Sequence, residues 1–100
     1  MVEELDFTHQ EGSNKDHSLV MYALSTCGFC KRALGFLKNR DVEFRYLYID
    51  TLAPEVKKAV KEELRERYRI KELWPTLVID GSEALSGFDS EKWAQRLGLG

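Results

Sequence analysis

The chain has two cysteines, and they stand two residues apart as Cys27-Gly28-Phe29-Cys30. A thiolate is both a nucleophile and a metal ligand, so this spacing supports disulfide exchange or metal binding. The motif follows an apolar run, Leu19-Val20-Met21-Tyr22-Ala23-Leu24, and precedes Lys31-Arg32-Ala33-Leu34-Gly35-Phe36-Leu37-Lys38, which has amphipathic helical spacing. The cysteines therefore fall where a strand turns into a helix. A helix N-terminus presents unpaired N–H groups and the positive end of a dipole, and both favour a thiolate. Cys27 is read as the nucleophile, with Lys31 or Arg32 assisting, and Cys30, one turn further in, as its resolving partner. Cys27 attacks a substrate disulfide; Cys30 then attacks the mixed disulfide and releases the reduced product. Gly28 lets a substrate backbone come close, and Phe29 offers an apolar flank.

Two rival readings use the same cysteines. A structural disulfide between them would close a tiny loop, from which chain entropy gains little. A zinc site needs four ligands, and the other candidates, His9 and His17, lie in a polar N-terminal stretch where solvated histidines are expected. Exchange is the favoured reading, and no metal is assigned.

The elements around the motif must position it. Residues 18–24 are apolar on both faces, as in a strand buried inside a sheet with helices on either side. Ser25 and Thr26 are candidate caps for the following helix. In that helix Cys30, Ala33, Leu34 and Leu37 share a face, with Phe29 and Phe36 beside them. Residues 43–49 alternate, Phe44, Tyr46 and Tyr48 against Arg45, Leu47 and Ile49, which predicts a strand parallel to the first. Pro54 and Glu55 open a second helix, whose Val56, Val60, Leu64 and Tyr68 form one stripe among charged residues. Residues 77–79, the turn signal Asp80-Gly81 and residues 83–85 read as a hairpin. A last helix follows Asp89 as N-cap, with Phe88 stapled to Trp93 and Gly98 at the exit. The fold class is α/β, in the order β-α-β-α-β-β-α, with a four-stranded mixed sheet flanked by helices.

Composition bounds the rest. One hundred residues, 43% hydrophobic, suit one domain with one core. Residues 1–17 hold five acidic groups against Lys15, with no helical or strand period, and are read as a polar, mobile tail that packs only around Leu5 and Phe7; residues 18–100 form the domain. The net charge of −2 argues against a nucleic-acid binder. No run approaches the roughly 20 apolar residues of a membrane span, and the acidic start has neither a signal-peptide plan nor a lipidation motif. The expectation is a cytoplasmic monomer, a compartment where close cysteines are more often catalytic than structural.

Cys-x-x-Cys after the first strand, Pro75 before the third and Gly87-Phe88-Asp89 after the fourth together resemble the thioredoxin superfamily. Within it the chain resembles glutaredoxins and glutaredoxin-like redoxins over residues 18–97. The resemblance implies a thioredoxin-like fold, a cis bond before Pro75, and a proline facing both cysteines. It also implies that the backbone of Trp74 holds the extended substrate or glutathione, where glutaredoxins usually carry a small β-branched residue. The Trp74 ring would either wall the bound thiol or pack in the core. Glutathione-using members usually carry Lys three residues before the first cysteine, where this chain has Leu24, and Gly-Gly-x-Asp where it has Ser86-Gly87-Phe88-Asp89. Ser-Gly-Phe is similar to the redoxins that serve ribonucleotide reductase and draw electrons from thioredoxin reductase instead of glutathione, which makes ribonucleotide reductase an implied partner. The implied reductant is therefore glutathione, another small thiol or a flavin reductase, with no tightly bound cofactor, and the implied partners are proteins with disulfides. Asp89 would meet a ligand amino group or only cap its helix. Cys-Gly-Phe-Cys is also similar to the Cys-Gly-Phe-Ser of monothiol glutaredoxins, which implies an alternative, an iron–sulfur cluster carrier.

Overall fold

The structure is a computed structural model, and it describes residues 5–71 and 73–99. The elements are β1 (Thr8–Gln10), β2 (Leu19–Ala23), α1 (Gly28–Asn39), β3 (Phe44–Tyr48), α2 (Pro54–Tyr68), β4 (Thr76–Ile79), β5 (Glu83–Ser86) and α3 (Ser90–Leu97), with a 3-10 turn at Ile49–Thr51. The strands form one sheet in the order β1-β3-β2-β4-β5. β2 and β3 run parallel, as the intervening helix requires, and every other pair is antiparallel.

β2 lies at the centre and feeds both faces. Leu19, Met21 and Ala23 pack with Ala33, Leu37, Trp93 and Leu97 of α1 and α3. Val20 and Tyr22 pack with Val60 and Leu64 of α2. β3 divides as its alternation predicts, with Phe44 in the first core and Leu47 in the second. Pro54 takes the first turn of α2, and the stripe from Val56 to Tyr68 faces the sheet. The Asp80-Gly81 turn has φ of 54° and 65°, values that glycine and aspartate accept most readily. Asp89 caps α3 through the N–H groups of Glu91 and Lys92, at 3.1 and 3.2 Å.

The sheet has five strands where four were expected. The extra one, β1, lies inside the stretch read as a tail and pairs antiparallel with β3, Thr8 opposite Tyr46 and Gln10 opposite Phe44. Three residues on an exposed edge are too few and too polar to show a period of two. Leu5 and Phe7 do pack, and the Phe7 ring meets Tyr22 edge-on at 5.9 Å. Beyond β1 the chain passes so close to residues 41–43 that a Cβ on Gly12 would lie 2.5 Å from the Val42 carbonyl carbon. Asn14 then bonds the backbone of Asp41 and Glu43, each at 2.9 Å.

Neither histidine is simply solvated. His9 Nε2 lies 3.3 Å from Glu43 Oε1, and His17 Nδ1 lies 2.9 Å from Asp80 Oδ2. Ser18 adds an N–H bond to Asp80 Oδ1 at 2.7 Å, which clasps residues 17–18 to the hairpin. The His17 bond and then the Ser18 N–H hold the Asp80 carboxyl below the usual carboxylate range. A depressed carboxyl favours the fold above its unfolded value, about 4, and that contribution is lost as pH falls through the lowered folded value. The Ser18 amide resonance should therefore titrate in that acid window; a flat profile would rule the clasp out.

Candidate active site

The last residue of β2, the loop 24–26 and the first turn of α1 carry the two cysteines. The cap of α1 is Cys27 itself, not Ser25 or Thr26. Cys27 has extended backbone, and its Sγ accepts the Cys30 N–H at 3.3 Å. Ser25 is used elsewhere: its N–H and hydroxyl donate to the two carboxylate oxygens of Asp50, at 2.9 and 2.5 Å. These two bonds, the hydroxyl first, hold the Asp50 carboxyl below its ordinary value.

The cysteines are unequal. Cys27 is partly exposed, whereas Cys30 is 2% exposed and belongs to the core between α1 and the sheet. Burial pushes the Cys30 thiol up to about 12; the Leu24 N–H, which donates to its Sγ at 3.4 Å, works against that, and Cys27 and Asp50 add to it. The neighbouring Tyr48 hydroxyl is also raised, first by burial and then by Tyr46, Cys30 and Asp50. One sulfur can meet a disulfide from solvent. The other can reach only what is bonded to the first.

The second wall comes from the loop before β4. The Trp74–Pro75 bond is cis, as the resemblance implies, and Pro75 is fully buried. The Trp74 carbonyl oxygen lies 3.9 Å from Cys27 Sγ. Its indole is half-buried and packs against both cores, so the ring joins the two layers at this end of the sheet. Gly87, at φ of 80°, donates its N–H to the Pro75 carbonyl at 2.8 Å. That bond ties the turn after β5 to the same loop. Gly28 is exposed, with open space where a Cβ would stand.

Phe88 and Asp89 also serve the fold. Phe88 packs edge-on against Phe36 and Trp93, at 5.5 and 4.9 Å, and Asp89 is the α3 cap. Phe29, placed by sequence beside the buried face of α1, points outward and is 57% exposed, with the Arg32 guanidinium 5.4 Å from its ring centre. Leu73, one residue before Trp74, is 53% exposed. Among the described residues these are the large exposed hydrophobics, and each belongs to a segment that borders Cys27. Sequence reasoning did not single out Leu73 or the Ser25–Asp50 pair. An outward leucine has no local signal, and Ser25 meets Asp50 across 25 positions of chain.

Among the described residues no cluster of three or more His, Cys, Asp or Glu could hold a metal, and no helix is long and apolar enough to cross a membrane. The glutaredoxin family model matches residues 19–83, a span that includes both cysteines and Pro75. The chain belongs to the glutaredoxin family. Its structure is similar to the glutaredoxin of Methanosarcina mazei Go1, with 32% identity, a TM-score of 0.79, and coverage of 92% of this chain and 87% of the other. It is similar to the methanoredoxin of Methanosarcina acetivorans, with 30% identity, a TM-score of 0.77, and coverage of 87% and 90%. The glutaredoxin of Archaeoglobus fulgidus has 35% identity, a TM-score of 0.71, and coverage of 86% and 90%. No curated protein matches in sequence. A glutaredoxin with two neighbouring cysteines is a redox thiol protein.

Proposed function

We propose that this glutaredoxin is a dithiol oxidoreductase that reduces protein disulfides. The observation that carries the reading is the unequal pair: partly exposed Cys27 capping α1 with Sγ on the Cys30 N–H, and Cys30 buried beneath it. Cys27 thiolate attacks one sulfur of the substrate disulfide. A Cys27–substrate S–S bond forms, and the other substrate sulfur leaves as a thiolate. Cys30 loses its proton to solvent and attacks Cys27 Sγ. The Cys27–Cys30 bond forms, and the second substrate sulfur leaves. The substrate gains two electrons, and the protein keeps the disulfide. The Trp74 carbonyl and the Pro75 loop line the side from which an extended substrate enters.

The part of the chain that does this is residues 18–100, with β1 added at the edge of its sheet, acting as a cytoplasmic monomer without a bound cofactor. Reduction of the Cys27–Cys30 disulfide falls to a small thiol or a flavin reductase. Leu24, in place of a cation, gives a glutathione carboxylate no partner at that position. Gly87, Phe88 and Asp89 line a groove of about 320 Å³ along β5 that suits one end of such a thiol. The deciding experiment supplies oxidised protein in turn with glutathione, coenzyme M and a thioredoxin reductase, then assays insulin reduction. A donor that restores both thiols and insulin turnover supports the reading. No insulin turnover with any donor overturns it, and a brown protein from oxygen-free purification that loses its colour on Cys27→Ser is the cluster carrier instead.

The outward Phe29 and Leu73 fit a protein substrate with apolar residues beside its disulfide. Covering such side chains is worth about 1–2 kcal/mol when partial. The double variant Phe29→Ser, Leu73→Ser should lower kcat/KM for a protein disulfide about tenfold and leave a small, polar disulfide within about twofold. Equal losses on both substrates would mean that the two side chains shape the site and not the docking.

A further inference from the structure

Asp50 stands outside the motif yet reaches it through one residue. It lies in the 3-10 turn after β3, and its carboxylate accepts the N–H and the hydroxyl of Ser25 at the same time. A carboxylate that accepts two donors from one residue fixes that residue in position and in rotation. Ser25 is bonded in sequence to Leu24, and Leu24 serves both cysteines: its N–H donates to Cys30 Sγ at 3.4 Å, and its carbonyl accepts the Cys27 N–H at 3.3 Å. The donor to Cys30 Sγ thus comes from the loop just after β2, across the turn from α1.

We propose that Asp50 is a positioning residue for the resolving step, holding Ser25 so that the Leu24 N–H meets Cys30 Sγ. This rests on the dithiol reading above. During resolution negative charge develops on Cys30 sulfur inside the core, where water cannot solvate it. The Leu24 N–H is the donor in place to meet that charge; it opposes burial, and it outweighs the repulsion from the Asp50 carboxylate, the smallest of the causes that act on Cys30. A preorganised donor acts without reorganising as the charge appears. Without the Asp50 grip, the loop 24–26 keeps its covalent path, but the donor loses its aim.

The test separates the two steps. Cys27 of the whole protein is loaded with nitrothiobenzoate as a mixed disulfide, and release of the coloured thiolate by Cys30 is followed by stopped flow. The first step is read separately, as attack on a small disulfide in a Cys30→Ser background. Asp50→Ala should slow release about tenfold, what one hydrogen bond to a developing charge is worth, while the first step changes less than about threefold. Asp50→Asn keeps an oxygen for one Ser25 donor and should recover part of the rate, whereas Ser25→Ala, which keeps only the backbone donor, should fall between wild type and Asp50→Ala. Release at the wild-type rate in Asp50→Ala, or an equal slowing of both steps, overturns the proposal. If the unsubstituted protein shows no Cys30-dependent release, it is the dithiol reading that fails, which is a separate result.

Discussion

Cys27→Ser should abolish disulfide exchange, lowering turnover by roughly three orders of magnitude or more, because a hydroxyl at neutral pH offers no comparable nucleophile. Cys30→Ser should behave differently. Turnover on a protein disulfide should fall to background, and a mixed disulfide should accumulate on Cys27, visible in the intact mass. The difference follows from which atoms the substitution removes. The N–H that meets Cys27 Sγ belongs to the backbone of residue 30, so serine keeps it and keeps the cap of α1. The first step therefore survives. Only the buried sulfur is lost, and with it the intramolecular attack that frees the substrate. In the unsubstituted protein that attack should quicken with pH across the neutral range, since burial pushes the Cys30 thiol up to about 12 and the reactive thiolate is its minor form there. If Cys30→Ser turned over a protein disulfide at the original rate and trapped nothing, the assignment of the two sulfurs would be wrong.

The parts of this site that were legible in sequence are those whose cause is local. Cys-x-x-Cys after an apolar run, the stripe from Val56 to Tyr68, the Asp80-Gly81 turn and the Phe88–Trp93 staple each declare themselves within a few residues. What stayed hidden depends on distant chain. β1 exists because β3 offers an edge and Gly12 permits the close approach after it, and neither fact is visible in Thr8-His9-Gln10. Ser25 looked like a helix cap because serine caps helices; Asp50 outbid the helix for it, and Cys27 capped in its place. Phe29 fits an apolar stripe by spacing alone, but at the second position of α1 it lies beyond the reach of the sheet and faces water. Phe88 declares its staple by spacing, and its ring is committed to Phe36 and Trp93 while it also lines the groove along β5.

That commitment makes Trp93 the most consequential position outside the motif. The indole is 1% exposed, meets Phe36 and Phe88 edge-on at 6.4 and 4.9 Å, and donates its Nε1–H to the Gly87 carbonyl at 3.1 Å. Trp93→Ala should cost about 3–5 kcal/mol, measured by urea unfolding, from lost packing and the cavity left behind. Small domains hold roughly 5–15 kcal/mol in total, so this variant would stand near the limit of folding. Trp93→Phe separates the two contributions. It keeps most of the ring contact but strips the Gly87 carbonyl of its donor, and should cost about 1–3 kcal/mol. The loss also reaches the site. Gly87 holds the Pro75 carbonyl through its own N–H, so one residue links α3 to the loop that faces Cys27. Trp93→Phe should therefore fold, keep the trapping reaction of Cys27, and raise KM for a protein disulfide severalfold as the Pro75 loop loosens. A stability loss below about 1 kcal/mol in Trp93→Ala would contradict the central place given to the indole. An unchanged KM in Trp93→Phe would cut the link from α3 to the substrate loop.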